Sequence, residues 1–264
     1  MYSFVELSLK YLSHYLSASN GKGHGIHSPF IFDFIKNVLN DRKMSSVEKK
    51  VEDLRRELVK DKTLLTIEDY GAGSSSRSNQ RTVGSIARRA VKPEKYARLL
   101  YRIAKYYHPQ TIVELGTSLG LTTSYLSLSN PSSAVFTLEG SGAIANIAKR
   151  HFKTLDLENI RLIEGNFDYT LPSVIDQLSS VDFAFIDGNH RLEPTKNYFR
   201  WLSAKAGNDS IFIFDDIHWS KEMEQAWNHI LGDPAVTCSI DLFFTGIIFF
   251  RKEFIQKQHF KIRF

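Results

Sequence analysis

The chain has 264 residues, 42% hydrophobic and 24% charged, with 15 Gly, 7 Pro and no low-complexity tract; this composition excludes a disordered or fibrous protein and suffices for one large core or two small ones. The net charge of +5, from 34 Lys/Arg against 29 Asp/Glu, comes with no known nucleic-acid module and argues against a nucleic-acid partner. A single cysteine, Cys238, excludes an internal disulfide; the opening MYSFVELSLKYLSHYL is not a signal peptide, and LFFTGIIFF at 242–250 is about half the ~20 residues of a membrane helix, so a cytoplasmic chain without a membrane span is expected.

In chain order, residues 2–17 carry helical periodicity, and SNGKGHGIHS at 19–28 reads as a loop because of its glycines. His24 and His27 within it have a metal-capable spacing, but no cysteine or third histidine accompanies them. Ser28-Pro29 fits an N-cap followed by proline at the first helical position, opening a helical stretch over about 29–60. A short apolar run, TLLTI, leads to a glycine segment, DYGAGSSS, at 69–76. Between residues 77 and 105 there are nine Lys/Arg and one acid, Glu94, whereas residues 106–250 hold nine basic and seventeen acidic side chains. Within PEKYARLLYRIAKYY, Tyr96, Leu99, Leu100, Ile103 and Tyr107 share one helical face; Lys95, Arg98, Arg102 and Lys105 share the other, expected to be solvated. Residues 1–105 thus read as a mainly helical N-terminal extension, a substrate-side cap, ahead of a domain over 106–264.

From residue 110 the pattern changes. TIVEL, AVFTLE, NIRLIEG, VDFAFID and SIFIFDD alternate with longer amphipathic segments, which predicts βαβ units in a mostly parallel sheet covered by helices on both faces. AVTCSIDLFF and TGIIFFRK are too close for a helical crossover and are expected as an antiparallel pair at the sheet edge. The fold class is therefore α/β, a doubly wound Rossmann-like sheet.

Such sheets bind ligands at the carboxyl ends of their strands, where glycine lets the backbone approach. DYGAGSSS and ELGTSLG (114–120) compete for that role. A ribose-binding acid is expected to close the next strand about 20–25 residues on; after Asp69 that window is the basic IARRAVKPE, and after Glu114 it is VFTLE, ending in Glu139. The second loop is preferred. Gly116-Thr117-Ser118-Leu119-Gly120 also matches the G-x-S-x-G elbow of α/β-hydrolases, with Asp187 or Asp215 and His190 or His218 downstream. An esterase using Ser118 is the rival reading, although no oxyanion segment precedes the loop. The spacing is not the G-x-G-x-x-G of a dinucleotide oxidoreductase.

As an ordered set over about residues 95–250, ELGTSLG, FTLEG, IEGN, FIDGNH and FDDIHW resemble the class I S-adenosylmethionine-dependent methyltransferases, specifically the catechol and caffeoyl-CoA O-methyltransferase branch and its antibiotic-sugar relatives. The resemblance implies a seven-stranded sheet with the last strand antiparallel, S-adenosyl-L-methionine as cofactor, a hydroxylated small-molecule acceptor and a homodimer. It implies that Glu114 and Gly116, Thr117, Ser118 and Gly120 cradle the methionine moiety, that Glu139 grips the ribose hydroxyls, and that Gly140, Ser141, Gly165 and Asn166 wall the adenine. Ser141 reads equally as the N-cap of the next helix.

Asp187, Asp215 and Asp216 end strands and are expected to converge, a set suited to Mg2+; the resembled branch places its metal ligands at these positions. The alternative has Asp187 on the cofactor and Asp216 capping the helix that begins near Ser220. His190 stands where catechol-type enzymes place their catalytic lysine, and an imidazole can take a hydroxyl proton at neutral pH. His218 is the second candidate base. A non-catalytic S-adenosylmethionine-binding protein is the remaining reading.

Overall fold

The computed structural model describes residues 1–41, 43–67 and 80–264. The glycine segment at 69–76 lies outside them. Helix α1 spans Phe4–Ser17 and opens on a capping box: the Ser3 hydroxyl accepts from Glu6 N, and the Glu6 carboxylate accepts from Ser3 N. Helix α2 (Pro29–Phe34) follows Ser28 with proline at its start, but the Ser28 hydroxyl makes no capping bond. The single helix expected over 29–60 is interrupted. A π-helical turn, Ile35–Leu39, ends at Asn40, and α3 (Ser46–Leu58) starts afresh from a second capping box of Ser45 and Glu48.

Strands β1 (Leu64–Thr66) and β2 (Gln80–Thr82) form an antiparallel pair, and Thr82 caps α4 (Val83–Arg89). Helix α5 (Glu94–Tyr107) buries Leu99, Leu100 and Ile103 as its periodicity requires. Its other face is the expected solvated one at Lys95 and Lys105, but Arg102 is buried, and Arg98 Nε donates to Glu48 Oε1 at 3.0 Å. Then come β3 (Thr111–Leu115), α6 (Leu121–Ser129), β4 (Ala134–Glu139), α7 (Gly142–Thr154), β5 (Ile160–Glu164) and α8 (Phe167–Gln177). Helix α8 carries Pro172; the missing N–H obscures its helical signal in the sequence. The remaining elements are β6 (Val181–Ile186), α9 (Leu192–Ser203), β7 (Ala206–Asp215), α10 (Lys221–Gly232), β8 (Cys238–Asp241), β9 (Thr245–Phe249) and β10 (Gln258–Lys261).

The chain gathers into two compact units, residues 42–174 and residues 1–41 with 175–264. The residue-105 boundary falls inside the first, within the last turn of α5. In that unit β3, β4 and β5 lie side by side and parallel, with Glu114 opposite Thr137 and Glu139 opposite Glu164. One core joins Val51, Ala97 and Tyr101 to Leu119, Tyr125, Ile144 and Ile147, so α3 and α5 pack into the same core as α6 and α7.

In the second unit the strand order is β10-β8-β9-β7-β6. β6 and β7 are parallel, and β9 runs antiparallel to both β7 and β8. The antiparallel pair therefore exists, but β8 is not an edge strand: β10 pairs with it in parallel, an eighth strand beyond the seven β3–β9. Phe183, Phe185, Phe212, Phe214 and Phe249 are fully buried between these strands and their helices, each burial worth roughly 1.5–3 kcal/mol. The fold class is Rossmann-like α/β with one reversed strand. No helix among the described residues is long and apolar enough to cross a membrane.

Candidate active site

Left-handed backbone follows the carboxyl ends of strands in each unit: in residues 42–174, Gly116 (φ 100°), Ser118 (φ 48°) and Gly120 (φ 79°) after β3 and Gly165 (φ 132°) after β5; in the other unit, Asn189 (φ 67°) and His190 (φ 35°) after β6 and Asp216 (φ 55°) after β7. For non-glycine residues such backbone costs on the order of 1–3 kcal/mol each and persists where surrounding contacts enforce it, often at functional sites.

In residues 42–174 those contacts are explicit. Gly116 N and Thr117 N both donate to Leu138 O, at 2.9 and 3.1 Å. The buried Thr117 hydroxyl lies 2.6 Å from that of Thr137. Glu139 closes β4 and turns toward the bend: its Oε2 accepts from Ser118 N and its Oε1 from Ser141 N, both at 2.9 Å. Acid and glycine bend thus face each other. Gly165 N donates to Glu139 O at 2.9 Å, bringing the loop after β5 beside the same acid. Gly140 is half-buried between Glu139 and Ser141. Ser141 occupies the N-cap position of α7, although its hydroxyl makes no capping bond. Asn166 heads α8, its Oδ1 accepting from Asp168 N at 2.9 Å.

Glu114 is wholly buried, and its Oε2 accepts from the hydroxyls of Thr123 and, at 2.6 Å, Thr137. The sequence also gave no sign of His151 on α7, whose Nδ1 lies 2.8 Å from Leu119 O. Burial pushes this imidazole down, so the neutral ring donates from Nδ1 into the bend.

The expected chemical residues lie in the other unit. His190 Nε2 is 3.5 Å from Asp187 Oδ1, across a turn of two consecutive left-handed residues. Asn189 pins that turn by donating from Nδ2 to the Tyr198 hydroxyl at 3.1 Å, and its Oδ1 is buried with no hydrogen-bond partner among the described residues. Asp215 is buried at the end of β7, and the Thr245 hydroxyl donates to its Oδ1 at 3.4 Å. Asp216 does not cap α10; Ser220 does, its hydroxyl accepting from Met223 N.

The expected metal set fails a geometric test. Among the described residues no three His, Cys, Asp or Glu side chains are grouped to hold a metal ion. Asp187 faces His190 and Asp215 takes a threonine hydroxyl, so Asp187, Asp215 and Asp216 are not a ready cation cage.

His218 is placed differently from His190. Its Nδ1 lies 3.1 Å from Glu224 Oε1 and its Nε2 2.9 Å from Asp241 Oδ2. Burial alone would lower this ring, but Asp241 and then Glu224 outweigh it and raise it. Both ring nitrogens of His218 thus face carboxylates, which favour its charged form.

Residues 113–217 match a protein family described as a methyltransferase domain. This stretch is similar to that methyltransferase domain. Its fold recurs in the SAH-bound methyltransferase PaMTH1 of Podospora anserina, at 13% identity and TM-score 0.60 over 96% of this chain and 99% of that one. An SAH complex of the O-methyltransferase from Bacillus cereus is similar at 16% identity and TM-score 0.54, over 80% of this chain and 93% of the other. The O-methyltransferase TomG of Streptomyces achromogenes, involved in tomaymycin synthesis and solved with SAM, has 15% identity and TM-score 0.55 over 78% and 91%. A curated relative, the tRNA (guanine-N(7)-)-methyltransferase of Mycoplasma mobile, is 32% identical over 77 residues, 29% of this chain and 38% of that protein. The match thus spans well under half of that relative. The matched stretch begins inside β3 and ends just past β7, so it contains the bend, Glu139 and the strained turn after β6.

Proposed function

We propose that the chain transfers the methyl group of S-adenosylmethionine to a hydroxyl oxygen of a small molecule. The observation that carries this reading is the Glu139 carboxylate closing on the glycine bend through Ser118 N at 2.9 Å. A carboxylate so oriented suits a ribose diol, which it can hold by two charge-assisted hydrogen bonds. Gly116, Ser118 and Gly120 offer close backbone approach to the methionine end, while Gly140, Ser141, Gly165 and Asn166 flank Glu139 on the adenine side.

The cofactor, when bound, supplies a methyl group on a sulfonium, a leaving group that needs little activation. The protein's part is then positioning and deprotonation. His190 takes the acceptor's hydroxyl proton on Nδ1, with Nε2 held toward Asp187. The buried, unpartnered Asn189 Oδ1 beside it is an acceptor that a substrate hydroxyl would satisfy. Residues ahead of 106 are the part of the chain assigned to shaping the acceptor side.

Oxygen is favoured over tRNA nitrogen by the O-methyltransferase neighbours, and part of the basic stretch is engaged within the protein: Arg102 and Lys92 are buried, and Arg98 is paired with Glu48. The esterase reading lacks support, since Ser118 makes no hydrogen bond to a histidine among the described residues and a serine nucleophile needs one. No step is assigned to Mg2+. Chelator treatment should leave turnover unchanged; loss restored by Mg2+ would return Asp187, Asp215 and Asp216 to the reaction.

The decisive experiment is calorimetric titration with S-adenosylhomocysteine. Saturable binding that falls at least tenfold on Glu139→Ala supports the reading. Absence of binding to the unaltered chain overturns it. In a released-product assay against phenols, sugars and hydroxylated lipids, His190→Asn should lower kcat by 10²–10⁴-fold and leave S-adenosylhomocysteine affinity intact.

A further inference from the structure

Helix α1 turns its polar side chains toward the protein and its apolar ones toward water. Facing inward, Lys10 Nζ lies 3.0 Å from Glu224 Oε1 and His14 Nε2 3.1 Å from Asp241 Oδ1, with the Tyr11 ring stacked on Phe244. Facing outward, Phe4 is 85%, Val5 65%, Leu9 62%, Leu12 53%, Tyr15 45% and Leu16 70% exposed. At 100° per residue these six share one sector about 140° wide, which only Ser8 interrupts. Eight of the fourteen large apolar or aromatic side chains exposed among the described residues fall within the first sixteen positions, so this is a patch and not scattered exposure.

We propose that α1 lies on an anionic lipid bilayer, with this stripe sunk into the headgroup region. The exposures together equal nearly four fully exposed side chains, roughly 600 Å², the upper range of the largest apolar patch on a typical soluble monomer. With 14 residues the helix is about 21 Å long, a straight strip suited to lying flat in the interface. Charge selects the lipid. Beside the carboxyl end of the helix, Arg263 Nε donates to Tyr15 O at 2.7 Å and its guanidinium sits 4.5 Å from the centre of the Tyr15 ring. Ser19 N donates to Lys261 O and Arg263 N to Ser19 O. A Cβ on Gly21 would meet Arg263 O at 2.6 Å, so Gly21 and the following Lys22 lie at the same corner. Lys22 and Lys261 are exposed. Three cationic residues thus gather where the stripe ends, while Glu6, the one acid of the helix, is held at the opposite end by Ser3 N. An apolar strip bordered by Lys and Arg is the arrangement of an interfacial helix, and each cation near an anionic surface strengthens binding roughly fivefold.

Flotation of the full chain with vesicles of phosphatidylcholine, alone or mixed equally with phosphatidylglycerol, tests this. The chain should float with the mixed vesicles at least about tenfold more tightly than with phosphatidylcholine alone, and added salt should remove most of that difference. Leu9→Asp with Leu12→Asp should abolish flotation with both, and the milder Leu9→Ser with Leu12→Ser should weaken it several-fold. Lys22→Gln with Lys261→Gln should lower affinity for the mixed vesicles by about tenfold or more and leave affinity for phosphatidylcholine unchanged. All four positions are exposed, so the far-ultraviolet circular dichroism and melting temperature of the variants should match those of the unaltered chain. Absence of flotation with the mixed vesicles overturns the proposal, as does flotation that the aspartate pair leaves intact. A species of twice the chain mass in sedimentation velocity, dispersed by the aspartate pair and without vesicle binding, would overturn it in favour of a second copy on the stripe.

Discussion

Gly120 shows how tightly single residues constrain the candidate site. At φ 79°, a Cβ there would lie 2.6 Å from Phe152 Cε1 and 3.1 Å from Ala148 Cβ. Gly120→Ala therefore combines backbone strain with a clash against α7. It should lower stability by about 1–3 kcal/mol and weaken S-adenosylhomocysteine binding more than tenfold, measured by denaturant melts and calorimetry. His151 holds the same bend from beneath by donating to Leu119 O. Removing the donor with His151→Leu should raise KM for S-adenosylmethionine several-fold with little change in kcat, and His151→Asn, whose Nδ2 can take the place of Nδ1, should restore it. The two residues differed in how visible they were. Gly120 and Glu139 were legible because a glycine bend followed by an acid about twenty residues on is a spacing along one chain. His151 was not, because its role depends on a helix bringing it back across thirty-two positions to a carbonyl, which no local pattern records. The partners of Glu114 were hidden for a related reason: the hydroxyls of Thr123 and Thr137 reach its carboxylate only through α6 and strand register.

At the scale of elements, α1 is fastened by Tyr11 packing on Phe243 and Phe244 and by a set of charged contacts, and the charged part makes its attachment depend on pH. His218, from the loop after β7, faces Asp241 at the end of β8 and Glu224 on α10; those carboxylates also meet His14, Lys10 and Tyr2 from α1 and its flank. His218 is raised, so its contribution is complete below about pH 6.5 and fades as pH climbs through the raised value. Burial would raise Asp241 and Glu224, but hydrogen bonds from His14 and His218 to the first, and from Tyr2, Lys10 and His218 to the second, outweigh it and lower both. Their contribution is complete above about pH 4.5 and disappears as acid protonates them. The attachment of α1 should therefore be firmest between roughly pH 4.5 and 6.5, with amide exchange in residues 4–17 speeding up on either side. His218→Asn should flatten the alkaline limb and leave the acid limb in place. Element identity was legible wherever periodicity was undisturbed, as in α5, α7 and β3 to β7. It failed at α8, where Pro172 interrupts the pattern, and at β10, whose burial alternates only weakly along Gln258–Lys261 and whose strand character comes from pairing with β8.

For the molecule as a whole, the proposed division of labour follows the two compact units. Apart from Asp187, every residue assigned to the cofactor, from Gly116 to Asn166, belongs to residues 42–174, whereas His190 and Asn189 belong to the other unit. Ligand binding stabilises what it binds by mass action, about 2.7 kcal/mol at a hundred times Kd, and units of this size gain roughly 2–4 °C for each kcal/mol. S-adenosylhomocysteine at that excess should raise the melting of residues 42–174 by roughly 5–10 °C. If the units melt separately, the transition of residues 42–174 is the one that moves most. Hydrogen exchange localises the effect: protection should be greatest at residues 116–120, 139–141 and 165–166, where left-handed backbone and the Glu139 carboxylate meet the ligand. Glu139→Ala should erase both the thermal shift and the protection, and it should also lower the unliganded melt, because Ser118 N and Ser141 N each lose a carboxylate acceptor. Protection absent from all three segments, despite a measurable thermal shift, would place the ligand elsewhere and detach the glycine bend from cofactor binding.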